Sequence, residues 1–124
     1  MSIPTLHIFK AGTHTANSGL SLTFSASDLA ATAAAYDPAK HEAPLVVGHP
    51  ATDDPAYGWV DTLALIADGL EATPRQVDPA FAAMVNDEHF NRISSSFFLP
   101  DAPNNPVPGV YYLRHIGFLG AAAP

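Results

Sequence analysis

Twelve prolines distributed over 124 residues constrain this chain more than any other feature. Each proline removes a backbone donor and fixes φ, which favours short elements and many turns. The pattern argues against an all-helical bundle and for short elements joined by many turns. At 48% hydrophobic and 14% charged residues the composition is that of a folded core rather than a disordered tail. The length suits one domain spanning residues 1–124.

Charge and cysteine usage remove several function classes. The net charge is -7 with only five basic residues, and phosphate neutralisation needs clustered Lys and Arg, so no nucleic-acid partner is expected. The absence of cysteine rules out disulfides, thiolate metal sites and a cysteine nucleophile, and fits an intracellular setting. The opening MSIPTLHIFKAG lacks the basic head and long apolar run of a signal peptide, and no apolar run is long enough to span a bilayer. No membrane association is expected.

Taken in order, Ile3 to Lys10 reads as a strand with Leu6, Ile8 and Lys10 on one face and His7 and Phe9 on the other. Thr13 to Gly19 reads as a polar hairpin loop, and Leu20, Leu22 and Phe24 alternate with serine and threonine as the returning strand. Ser27 is placed to cap a helix over Leu29 to Tyr36, with Asp28 in its first turn. Trp59 to Ile66 and Leu70 to Gln76 flank Ala67-Asp68-Gly69, a hairpin signal, and Trp59, Asp61, Leu63 and Leu65 share a face by alternation. Asp78-Pro79 opens a second helix that ends near Glu88. Phe90 to Leu99 is a strand with Arg92, Ser94, Ser96 and Phe98 on one side, opposite Ile93, Ser95 and Phe97. A proline-rich loop then leads to a strand over Val110 to Leu119 with His115 in its middle. Gly120 to Pro124 does not read as a domain end, so a longer parent chain is expected.

The densest stretch in chemical terms is KHEAPLVVGHPATDDPAYGWV, Lys40 to Val60. Pro44 to Val47 is too short for a helix and reads as a buried strand that delivers Gly48 and His49 to its end. A serine nucleophile needs a neighbouring base, and the base needs an orienting partner on its other nitrogen. His49, Ser94 and His115 are residues of the right types, each in or at the end of a strand. Two other readings stand beside this one. His41, His49, Asp53 and Asp54 have donor types suited to zinc but match no compact ligand motif, and no metal or cofactor is expected. The serine run also suits an exposed strand face pairing its hydroxyls across to a neighbour.

The blocks HEAPLVVGHPATDDPAYGWV, QVDPAFAAMV and RISSSFFLPDAPNNPVPGVYYLRHIGFLGAAAP together resemble the prohead maturation proteases of tailed bacteriophages, in particular the phage Mu I-protein-like branch. The resemblance runs from about Ile8 to the end. In that family a histidine shortly before a Gly-Trp-Val-like strand is the base, which implies His49. A serine in a Ser-x-x-Phe strand is the nucleophile, which implies Ser94, with Ser96 as runner-up and Ser95 pointing away. The broader pattern has a glutamate in Leu-Arg-Glu-Val-Ser-Leu-Val, whereas this chain reads LRHIGFL. His115 thus stands where the glutamate would be, as in the His-Ser-His arrangement of the related herpesvirus assemblins. A carboxylate such as Asp61 is the alternative orienting group.

The resemblance implies a mainly β, α+β fold, a small antiparallel barrel of about six or seven strands with short helices, of the prohead protease and assemblin type. It implies a serine endopeptidase that cleaves phage scaffold and capsid-associated proteins inside the prohead in the bacterial host cytoplasm, with cleavage of its own chain left open. The domain would be the N-terminal part of a longer protease-scaffold chain, with homo-oligomerisation left open. The rival reading is a scaffold or capsid-assembly module of the same fold without activity.

Overall fold

A computed structural model describes residues 3–15, 19–48, 50, 53–67 and 69–120. The elements are β1 (Leu6–Lys10), β2 (Gly12–Thr15), β3 (Ser21–Phe24), α1 (Ala26–Ala35), β4 (Pro44–Val47), β5 (Gly58–Ile66), β6 (Gly69–Arg75), α2 (Pro79–Asn86), β7 (Arg92–Phe98) and β8 (Tyr112–Leu119). Six strands form one sheet in the order β1-β6-β5-β4-β8-β7, and β2 and β3 form a separate hairpin. The pairings are antiparallel except β4 with β8, which run parallel. The fold is therefore mainly β with two short helices, as expected, but its sheet is mixed. Asp68, in the expected hairpin turn, lies outside the described residues, while the β5–β6 pairing it was expected to join is present.

The sheet curls until its two edges nearly meet. Ser95 Oγ on β7 donates to the Ile8 carbonyl on β1 at 2.8 Å. Next to that contact the rings of Phe9 and Phe97 meet edge to face at 4.9 Å. One core runs through this near-barrel, with Leu29, Leu45, Val60, Leu70, Leu113 and Ile116 fully enclosed. α2 closes onto it by stacking Phe81 against Tyr57 at 5.2 Å and setting it edge-on to Phe118 at 5.0 Å. Among the described residues no helix is long and apolar enough to cross a membrane.

Both helices start where side chains satisfy their first amides. Asp78 accepts from the Phe81 N–H ahead of Pro79, as expected. At α1 the cap is Ser25 rather than Ser27. Ser25 has Asp28 three residues on, so each side chain binds the other's backbone N–H, and this reciprocal pair holds the start two residues earlier.

Simple alternation fails in three strands, each time at a β-bulge, an extra residue on one strand that reverses which face follows. On β1 the register skips Ile8, so Leu6, Ile8 and Phe9 all reach the core while His7 and Lys10 are exposed. On β5 it skips Asp61, which puts Val60 and Leu63, three apart, in the core instead of the expected Trp59, Asp61, Leu63 and Leu65 face. On β8 it skips Arg114, which lets Leu113, Ile116 and Phe118 all point inward. A bulge leaves backbone groups without a ladder partner, and here a side chain from elsewhere supplies a donor each time. Ser95 Oγ serves the Ile8 carbonyl at 2.8 Å, Tyr36 Oη the Val60 carbonyl at 2.7 Å, and a ring nitrogen of His41 the Arg114 carbonyl at 2.9 Å.

Candidate active site

The β7–β8 register brings the serine run and His115 onto neighbouring strands. Ser96 is the cross-strand partner of His115, Ser95 of Ile116 and Ser94 of Gly117. Directly opposed residues of an antiparallel pair project from the same face, with Cβ atoms about 4.5–5.5 Å apart. Ile116 points into the core. Ser94, Ser96 and His115 therefore share the outer face, and all three are half-buried. Ser95 faces the other way and is engaged with Ile8. Arg92, opposite Leu119, is exposed on the Ser94 face.

On the far side of β8 lies β4, paired Leu45 to Ile116, Val46 to Gly117 and Val47 to Phe118. Val46, Gly117 and Ser94 thus form one row across three strands, and its middle member has no side chain. β4 is followed by Gly48, whose N–H donates to the Phe118 carbonyl at 3.0 Å and whose φ of +70° is in the left-handed region that favours glycine. His49, the expected base, lies outside the described residues, so the structure brings together two of the three expected site residues, Ser94 and His115.

Around His115 the outer face is held by a polar and aromatic cluster. The Arg114 guanidinium lies over the Phe98 ring at 4.4 Å, and the His41 ring meets Phe98 edge-on at 5.3 Å. Because Arg114 is the bulge residue, it shares the outer face with His115 instead of pointing away from it as strict alternation requires. Tyr112 Oη lies 2.7 Å from the Asp37 carbonyl and 2.9 Å from that of His41, its one proton shared between them. Burial pushes the Tyr112 phenol above its ordinary pKa and the neighbouring Tyr36 up to about 12, so both are proton donors at neutral pH. His41, one of four residues with metal-ligand character, thus has a ring nitrogen committed to a backbone carbonyl. Asp61, the alternative orienting carboxylate, lies 3.8 Å from Arg75 across β5 and β6.

A cleft of about 840 Å³ runs along the seam between β1 and β7, lined by Ser94, Ser95 and Ser96 on one wall and His7 and Lys10 on the other, with His14 and Leu22 of the β2–β3 hairpin beside it. His14 is fastened there, stacked on Phe9 at 4.2 Å with Nε2 2.7 Å from the Lys10 carbonyl. Sequence reasoning missed this wall, because His14 falls in a segment that reads as polar loop and the hairpin's placement depends on the Phe24 contacts with Phe9 and Tyr111, at 4.7 and 4.3 Å. No family model matches the chain, and no curated protein and no solved structure matches it.

Proposed function

We propose that the chain is a serine endopeptidase of the prohead maturation type, acting on phage scaffold and capsid proteins inside the immature head. The observation that carries the reading is the β7–β8 register, with Ser94, Ser96 and His115 on one outer face, the two serines also lining the cleft of about 840 Å³. The sequence blocks that resemble the family add the role of His49. In this mechanism His49 takes the proton of Ser94 Oγ as the oxygen bonds to the scissile carbonyl carbon. His49 then gives that proton to the departing amine as the C–N bond breaks. Water, deprotonated by the same imidazole, hydrolyses the ester and restores Ser94. His115 orients the ring of His49 through its other nitrogen. Backbone amides supply the oxyanion site, with Arg92 on the Ser94 face as the nearest cation along β7.

Ser96 has one point in its favour, direct opposition to His115. Labelling with a fluorophosphonate and mapping the adduct by mass spectrometry decides between them. The expected adduct is on Ser94. An adduct on Ser96 moves the nucleophile two cross-strand pairs along β7, and a folded chain that reacts at neither refutes the peptidase and leaves the inactive assembly module.

A further inference from the structure

The bulge at Arg114 is a requirement of the core. Leu113, Ile116 and Phe118 are all enclosed, and residues three apart on a regular strand face opposite ways, so one extra residue must sit between Leu113 and Ile116. Arg114 is that residue. Its placement puts His115 opposite Ser96, and a register slip of one would turn the imidazole to the other face. The geometry of the third site member therefore rests on a single local irregularity.

β4 does not reach the bulge to hold it. The first β4–β8 pair is Leu45 with Ile116, and the residue before Leu45 is Pro44, which has no N–H to give. His41, three residues upstream of Pro44, supplies the missing donor with its side chain, Nε2 lying 2.9 Å from the Arg114 carbonyl. A carbonyl only accepts, so Nε2 carries the proton and the tautomer is set. The ring is wedged edge-on against Phe98 and Tyr112, at 5.3 and 6.0 Å. The His41 backbone is tied from both sides, its N–H to the Asp37 carbonyl at 3.2 Å and its own carbonyl to Tyr112 Oη at 2.9 Å.

We propose that His41 is a positioning residue for His115, holding the β8 bulge through the Arg114 carbonyl and so fixing where the orienting imidazole stands. As a role in catalysis this rests on the peptidase reading above; as a structural coupling it does not. Because His41 acts through His115, its loss is bounded by the loss of His115 itself. His41→Leu, which keeps bulk but has no donor, should lower kcat up to about tenfold to a hundredfold with little change in KM. His41→Gln, whose amide N–H reaches about as far as Nε2, should restore most of it. In a His115→Ala background His41→Leu should cost nothing further, since both changes act on one route.

The same variants are read by nitrogen-15 NMR of the imidazole rings, which needs no activity. The His115 ring resonances should move in His41→Leu and return in His41→Gln. Unchanged His115 resonances in His41→Leu overturn the proposal, and so does a kcat loss that persists undiminished in the His115→Ala background. Should the wild-type chain cleave nothing, shifted His115 resonances still establish the coupling while the peptidase reading fails. If His41→Leu does not fold, His41→Asn, whose shorter amide stops short of the Arg114 carbonyl, carries the test: displaced His115 resonances are the expected result and wild-type ones the refuting result.

Discussion

Two adjacent serines should separate stability from activity. Ser95 Oγ is the donor to the Ile8 carbonyl across the seam, and Ile8 is only 5% exposed, so Ser95→Ala leaves that oxygen with little access to water. An acceptor orphaned in this way costs about 1–3 kcal/mol, and the half-buried position of Ser95 argues for the lower part, about 1–2 kcal/mol. At about 2.1 cal/mol/K per residue for the unfolding entropy, 124 residues convert this into a midpoint lowered by about 4–8 °C. Ser94→Ala removes a hydroxyl from the outer face and should shift the midpoint by less than about 1 °C, within the range of neutral surface changes. Cleavage of a scaffold-derived substrate should show the reverse pattern, abolished in Ser94→Ala and retained in Ser95→Ala below its midpoint. Thermal melts of both variants beside a peptidase assay suffice. A Ser95→Ala protein that melts with the wild type would refute the idea that this hydroxyl closes the seam. A Ser94→Ala protein with full activity would remove Ser94 as nucleophile.

His115→Ala should slow cleavage about ten- to a hundredfold, about 1.4–2.7 kcal/mol of barrier, and much less than His49→Ala, because a neutral imidazole orients its partner without stabilising its charge. A loss equal to that of His49→Ala in a fluorogenic peptide assay would contradict this, and His115→Glu should keep activity if its carboxylate reaches the ring. Burial raises the Tyr36 pKa from 10.0 to about 12, so between those values the native chain keeps a proton that the unfolded chain releases. The stability this gives is complete below pH 10 and declines as pH rises toward 12. Tyr36→Phe should therefore lose about 1–2 kcal/mol in neutral urea unfolding, from the unserved Val60 carbonyl, and show a shallower alkaline decline; an unchanged decline would count against the assignment. Dialysis against a chelator should leave peptidase activity intact, and stoichiometric zinc whose removal abolishes it would favour a metal hydrolase.

What could be read from residue order alone divides along physical lines. β4, β7 and α2 follow from local signals: a short β-branched run between turns, alternation over Arg92 to Phe98, and an Asp-Pro helix start. The bulges at Ile8, Asp61 and Arg114 do not, because an extra residue is selected by curvature of the whole sheet and leaves no fixed residue type behind. One trace was available in the spacing of Leu113 and Ile116, which no regular strand can turn to one face together. The parallel β4–β8 pairing was equally hidden, since it joins segments about seventy residues apart and depends on which sheet position remains for the last strand. At the site, Ser94 and Ser96 could be placed on one face by alternation. That His115 faces them could not, because its direction is decided by the bulge one residue before it.

The position of β8 between β4 and β7 has a consequence for how the molecule comes into being. It is the last of these strands to be synthesised, yet it is an interior stave, flanked on both sides by strands made earlier. β4 can pair early with β5, and among the described residues β7 pairs in the sheet with β8 alone, so the serine strand waits as an unsealed edge until Tyr112 to Leu119 slides in. Such non-local pairings are slow, since long loops must close before their contacts form. The row of Val46, Gly117 and Ser94 and the pair of His115 and Ser96 are completed in that same step. A nascent chain stopped short of β8 would carry all three serines and neither His115 nor Gly117, so that assembly of the outer face and completion of the sheet are a single event in time.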